Sequence, residues 1–214
     1  MKMGIGLCKL FGKRSSAGLA DLTSNLPPYI KSNDDLDGVF ETMWLLVTGD
    51  TIPKNVDYHV LPEKEFVDAR LRHRKKTTTF YVVNESNGHK CRYGDIGYMI
   101  ELRNLNYKVF AVENSVSIVL ETLGHEGLGH VRYHITKPNA PIGNNILSET
   151  AAFIGEQQGI KALRVKLPPD TCRFPEFHKR AHDYAKKLVE RFGADGAWDK
   201  ILAVENEEEL KAIR

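Results

Sequence analysis

Apolar positions recur with a helical period in several stretches and with a strand period in others, and the two kinds separate along the chain. The run Asp34-Asp35-Leu36-Asp37 puts acidic charge at the start of a helix predicted over 36–47, which Gly49 and Pro53 end. A second helix is predicted over 63–72, closing in the basic cluster Arg70, Arg72, Arg74, Lys75 and Lys76. Residues 77–83 are β-branched and aromatic, and Asn87-Gly88 is a strong hairpin signal. Residues 89–92, 96–102 and 109–112 are further strand candidates. From Asn114 or Ser115, either able to cap, a helix is predicted to about His134. Pro138, Pro141 and Gly143 make a loop, and a helix follows over Ile146 to Leu163 with Ala151, Ala152 and Phe153 on its apolar face. Pro168-Pro169-Asp170 breaks the chain before a helix over 176–192 and a short terminal one over 205–210. Strands first and helices after them argue an α+β fold. Residues 1–32, rich in Gly, Ser, Lys and Pro, are expected to be an extension, disordered or loosely docked. Residues 33–214 are then a single domain.

Composition narrows the class without naming it. A formal charge of +2 is too mild to imply a nucleic-acid or membrane partner. No apolar run approaches the ~20 residues of a membrane helix, and the N-terminus lacks a convincing signal peptide. The three cysteines, Cys8, Cys91 and Cys172, form no CxxC pair. Their sparse, odd count argues for a reducing compartment, and a cytoplasmic location is expected. Trp44 and Trp198 are expected in the core or at an interface, and the basic cluster as a solvated helix end, contact with phosphate or an acidic partner being the alternative.

The chemistry concentrates in Gly124-His125-Glu126-Gly127-Leu128-Gly129-His130. A catalytic zinc needs three protein ligands, an open position for water, and a base for the water's proton. In H-E-x-x-H two imidazoles at i and i+4 share one helix face and the Glu is the base. Here the spacing is i, i+5. At ~100° per residue the two histidines would stand ~140° apart around a regular helix, unable to meet on one ion. A π-bulge would absorb the inserted residue, and Gly127 and Gly129 would tolerate the distortion. The rival geometry keeps the helix regular and aligns Glu126, His130 and His134 on one face, with His134 otherwise at the surface or rim.

His-Glu-Gly-Leu-Gly-His resembles the HExxGH motif of the dipeptidyl peptidase III family, whose lengthened motif binds zinc. The resemblance covers about residues 116–160. It implies a zincin-like domain, with a small mixed or antiparallel sheet packed on a zinc-binding helix. It also implies one catalytic zinc, His125 and His130 as ligands, and Glu126 as general base. The family's third ligand is a glutamate on a following helix, and Glu149 matches it; the short interval from His130 is closer to thermolysin-like gluzincins. The chain has no copy of the family's E-E-x-x-x-D motif, and Phe153 stands where a gluzincin often places an aspartate. Glu121 and Asn145 are candidates to support the histidines. Glu156, seven residues from Glu149 on nearly the same helix face, is an alternative ligand. The modulator-of-gyrase proteases take a cysteine as third ligand, a part that would fall to Cys172.

The expected activity is therefore hydrolysis of peptide or protein substrates by a zinc-activated water, Glu126 accepting its proton. An oxyanion donor is also needed. The helix carrying His178 and His182 could supply it, with His182 or Tyr184 as candidates beside the plainer reading of a solvated amphipathic helix. The strand over 96–102 would lie beside the zinc helix and could pair with an extended peptide. A metallohydrolase of a non-peptide amide or small molecule, or a non-catalytic metal-binding module, are the alternatives.

Overall fold

The strand-forming residues of the first half pair as a three-stranded mixed sheet with two short two-stranded companions. A computed structural model describes residues 25–73, 80–83, 90–93, 97–102, 105–141, 145–165 and 176–213. In chain order these hold β1 (Tyr29–Ile30), α1 (Val39–Thr48), β2 (Val56–Leu61), α2 (Glu63–His73), β3 (Phe80–Val83), β4 (Lys90–Tyr93), β5 (Gly97–Leu102), β6 (Asn106–Val112) and β7 (Asn114–Ser115). A continuous helical rod follows: α3 (Val116–Leu123), a π-helical segment (Gly124–Val131) and α4 (Arg132–Thr136). The chain ends with α5 (Ile146–Leu163), α6 (Glu176–Ala203) and α7 (Glu207–Ala212). The class is α+β, with small sheets and a helical C-terminal half.

The main sheet has the order β2-β6-β5, with β2 parallel and β5 antiparallel to the central β6. β6 is covered on both faces, and its period of two sorts its side chains. Tyr107, Val109 and Ala111 join the core beneath the helices, with Phe40, Met43, Val119, Leu120, Leu123 and Leu128. Phe110 and Val112 point the other way, onto Phe66 and Ala69 of α2. Tyr98 of β5 lies opposite Phe110 in the ladder and stacks on it at 4.7 Å. A second apolar core joins Tyr133, Phe153 and Ile154 to Ala181, Ala185, Leu188, Trp198 and Ile201 of α6. The π-helical segment and α5 run between these two cores.

Local chemistry accounts for the helix ends. Gly49 stops α1 with φ +78°, and its N–H bonds back to Leu45 O. Asn145 caps α5, its side chain accepting from Leu147 N–H at 3.0 Å. Several expectations need adjusting. Asp37 and Gly38 take left-handed conformations, so the helix expected from Leu36 is a 3₁₀ turn (Asn33–Leu36) followed by α1. β2, absent from the expected strands, completes the sheet. α6 runs to Ala203 rather than 192, bent where Gly193 has φ +71° and ψ 169°. Ile30, inside the stretch expected to be an extension, is fully buried, and β1 pairs with β7. Trp44 and Trp198 are in the core as expected. The Asn87-Gly88 turn, Arg74 to Lys76, Cys8 and Cys172 lie outside the described residues. Among the described residues, no helix is long and apolar enough to cross a membrane.

Candidate metal centre

The one-residue excess in the motif is absorbed as π-helix. The segment Gly124–Val131 is π-helical, and Arg132 N–H at its end reaches the carbonyl of Gly127, five residues back. Widening the helix carries residues five apart onto one face. His125 and His130 therefore lie side by side, ring centroids 5.1 Å apart, as the bulge requires and a regular helix forbids.

The glycines serve a different purpose from the one the sequence suggests. Gly124, Gly127 and Gly129 are not among the residues with positive φ. They make room. A Cβ on Gly127 would stand 2.6 Å from Phe40 Cζ, and one on Gly129 would stand 2.2 Å from Ala152 Cα. From the other side, a Cβ on Gly155 would meet Gly129 N at 2.5 Å. The π segment and α5 cross backbone to backbone, and that contact brings Glu149, one turn earlier on α5, to the histidines.

His125 Nε2 lies 3.2 Å from Glu149 Oε1, and His130 Nε2 lies 3.4 Å from Glu149 Oε2. Ligand atoms ~2.0–2.2 Å from a tetrahedral ion stand ~3.3–3.6 Å from one another. The two imidazole distances run to different oxygens of Glu149; one ligand atom from each residue lies within 4.8 Å of the others, so the three could hold a metal ion. Glu149 Oε1 is buried and has no hydrogen-bond partner of good geometry, which suits an atom aimed at a cation. Burial pushes the Glu149 carboxyl up, but the imidazoles of His125 and His130 outweigh it and hold the group far below the ordinary carboxylate range. Burial likewise lowers His125, and Glu149 and Glu156 outweigh it, holding the imidazole well above its ordinary value.

The outer nitrogens of both rings are held. His125 Nδ1 lies 3.1 Å from Glu156 Oε2, and His130 Nδ1 lies 2.8 Å from Ser148 Oγ. Ser148 Oγ in turn lies 3.2 Å from His134 Nε2. Glu156 and Ser148 thus support the histidines, the part for which Glu121 and Asn145 were candidates. Asn145 caps α5 instead. Glu156, an alternative ligand by its helix face, sits behind His125. Phe153 fills the aspartate position with an aromatic wall, its ring 4.8 Å from His125 and 5.2 Å from His182.

Glu126 precedes the crossing on the same segment, its Cγ beside Gly97 at the start of edge strand β5. His178, in the first turn of α6, brings Nε2 to 3.6 Å from Glu149 Oε1 and is 42% exposed. His182 sits behind it against Phe153. The Tyr184 hydroxyl donates to Glu207 on α7 at 3.2 Å. The i, i+4 spacing of His178 and His182 was visible in the sequence; which of the two turns toward Glu149 depends on how α6 docks. Cys172 lies outside the described residues.

The residues that converge as candidate metal ligands are His125, His130 and Glu149 rather than Glu126, His130 and His134. His134 is 2% exposed, not a rim residue, and shares Ser148 with His130. Burial, then the nearby His130, pushes its pKa down to about 4. The unfolded chain protonates this group below its ordinary 6.5, whereas the folded protein resists until about 4. Stability from His134 is therefore complete above 6.5 and lost as pH falls toward 4. Urea unfolding should show the protein losing roughly 2 kcal/mol through this group between about pH 7 and about pH 5, a loss absent from His134→Leu. Equal pH slopes in the two proteins would contradict it.

No family model matches the chain, and no curated protein or solved structure is significantly similar to it.

Proposed function

We propose that this chain is a zinc-dependent peptidase with a zincin-like active site, Glu126 acting as general base. The observation that carries the reading is the convergence of His125, His130 and Glu149 at ligand spacing across a π-helical turn. Two imidazoles and a carboxylate suit zinc, and Glu156 behind His125 completes a carboxylate–histidine pair of the kind that orients metal ligands. Zinc held there would supply Lewis acidity for the scissile carbonyl and for an attacking water.

The chain's own groups account for the rest. Glu126 takes the water's proton and passes it to the leaving amine. His178 Nε2, 3.6 Å from Glu149 Oε1 and partly exposed, is our candidate to donate to the oxygen that gains charge as the carbonyl becomes tetrahedral. This moves the donor's part from His182 and Tyr184 to His178. β5 bonds only to β6, and among the described residues nothing pairs with its other edge. An extended peptide added there would run past Gly97 and Glu126. The cysteine usage supports a reducing, cytoplasmic setting.

Metal content tests the reading directly. Elemental mass spectrometry should find about one zinc in the wild type. His125→Ala and Glu149→Ala should stay folded by circular dichroism and retain less than about a tenth as much. Hydrolysis of a fluorogenic peptide library should stop on adding a chelator and return with zinc. A wild type that takes up no zinc when zinc is supplied would overturn the proposal. Zinc uptake with turnover of amide metabolites and not peptides would replace peptidase by amidohydrolase.

A further inference from the structure

The two metal-facing histidines are braced in different ways. Behind His125 stands a carboxylate, Glu156, at 3.1 Å. Behind His130 stands a hydroxyl, Ser148, at 2.8 Å, and behind that a second imidazole, His134, at 3.2 Å. Ser148 and His134 are 1% and 2% exposed, so water does not substitute for either partner.

The proton positions along this row follow from the ligand requirement. For Nε2 of His130 to offer its lone pair to a metal, the ring's proton must sit on Nδ1. That N–H donates to Ser148 Oγ, which must then send its own hydrogen elsewhere. The described acceptor is His134 Nε2, which fixes His134 as the neutral tautomer with its proton on Nδ1. His134 Nδ1 is buried and has no hydrogen-bond partner. Leaving a buried donor unmet is a cost that an apolar residue at 134 would avoid, so packing alone does not explain a histidine there. Charge explains why the row is neutral. Glu149 and Glu156 together balance a divalent cation, and a third buried carboxylate behind His130 would leave unpaired charge.

We propose that Ser148 and His134 form a one-way hydrogen-bond row that locks His130 in its metal-binding tautomer and orientation, Ser148 being the positioning residue and His134 orienting its hydroxyl. The inference rests on the metal-centre reading above. It adds that metal affinity is set by two residues that never touch the metal.

The test is zinc affinity of the full chain, measured by competition with a chromophoric chelator, beside urea unfolding of the metal-free proteins. Ser148→Ala should weaken zinc binding by about 10–100-fold. His134→Leu should weaken it in the same direction, and the double variant should bind no worse than Ser148→Ala, because the two act in series. His134→Gln should restore near-wild-type affinity, since its amide oxygen can accept from Ser148 where leucine cannot. A merely structural role would move unfolding and leave the Gln–Leu difference in affinity at zero. Wild-type affinity in Ser148→Ala, or losses that multiply in the double variant, would overturn the row while leaving the metal centre standing. If Ser148→Ala does not fold, equal affinities for His134→Gln and His134→Leu overturn it instead. A wild type without measurable zinc affinity would overturn the metal centre itself.

Discussion

Glu126→Gln should retain its zinc and fall about 10²–10⁴-fold in peptide hydrolysis, the range over which a positioned general base contributes. Glutamine keeps the length and shape of the side chain and loses only the ability to take a proton. Glu126 is not one of the three converging ligands, so metal content should match the wild type. Its Cγ lies beside the site of an absent Cβ at Gly97, at the start of the edge where an extended peptide would pair. On the proposed reading, that edge is where Glu126 would serve a water delivered to a backbone carbonyl. The combination is diagnostic. A variant that keeps metal and loses turnover assigns Glu126 to the chemical step, whereas one that loses both would make Glu126 part of the metal cage. Unchanged hydrolysis would remove Glu126 from the mechanism.

The helices that carry the metal centre were legible because their signals are local. The period of 3.6 and the i, i+5 spacing of His125 and His130 lie within a few residues of what they determine, whereas Asn145, a candidate support for the histidines, turned out to cap α5. The requirement for a π-bulge followed from helix geometry alone, and the structure supplies it over Gly124–Val131. What the sequence concealed depends on partners distant in the chain. β2 exists because Val56–Leu61 lies parallel to β6 some fifty residues on, although the alternation of Val56, Tyr58 and Val60 hints at a strand. Ser148 and Glu156 became supports for the histidines only when α5 crossed the π segment. His178 reached the centre only when α6 docked on α5. His134, polar and next to Tyr133 and Ile135, gives no sequence sign of being buried, because its burial is decided by Ser148 across the helix interface.

That interface is also where a single methyl group should do most damage. Gly129→Ala adds a Cβ that would stand 2.2 Å from Ala152 Cα, 2.7 Å from its carbonyl oxygen and 2.9 Å from its carbonyl carbon. These are backbone atoms of a buried helix, so no rotamer change relieves the clash and the helices must separate. Intrinsic helix propensity argues the other way: alanine is favoured over glycine by about 1 kcal/mol inside a helix. The two effects differ in sign, and overpacking is the larger, about 1–3 kcal/mol and occasionally more. Denaturant unfolding should therefore show net destabilisation of roughly 1–2 kcal/mol. The same separation moves Glu149 away from His125 and His130, so zinc affinity should fall with stability even though residue 129 offers no ligand. Gly38→Ala is the control, since a Cβ there meets nothing within 4 Å and the left-handed φ of +72° supplies strain without a clash. It should destabilise by about 1–2 kcal/mol and leave zinc affinity untouched. A stabilised Gly129→Ala would show that the crossing can open freely, and that close approach is not what positions Glu149 over the π-helical histidines.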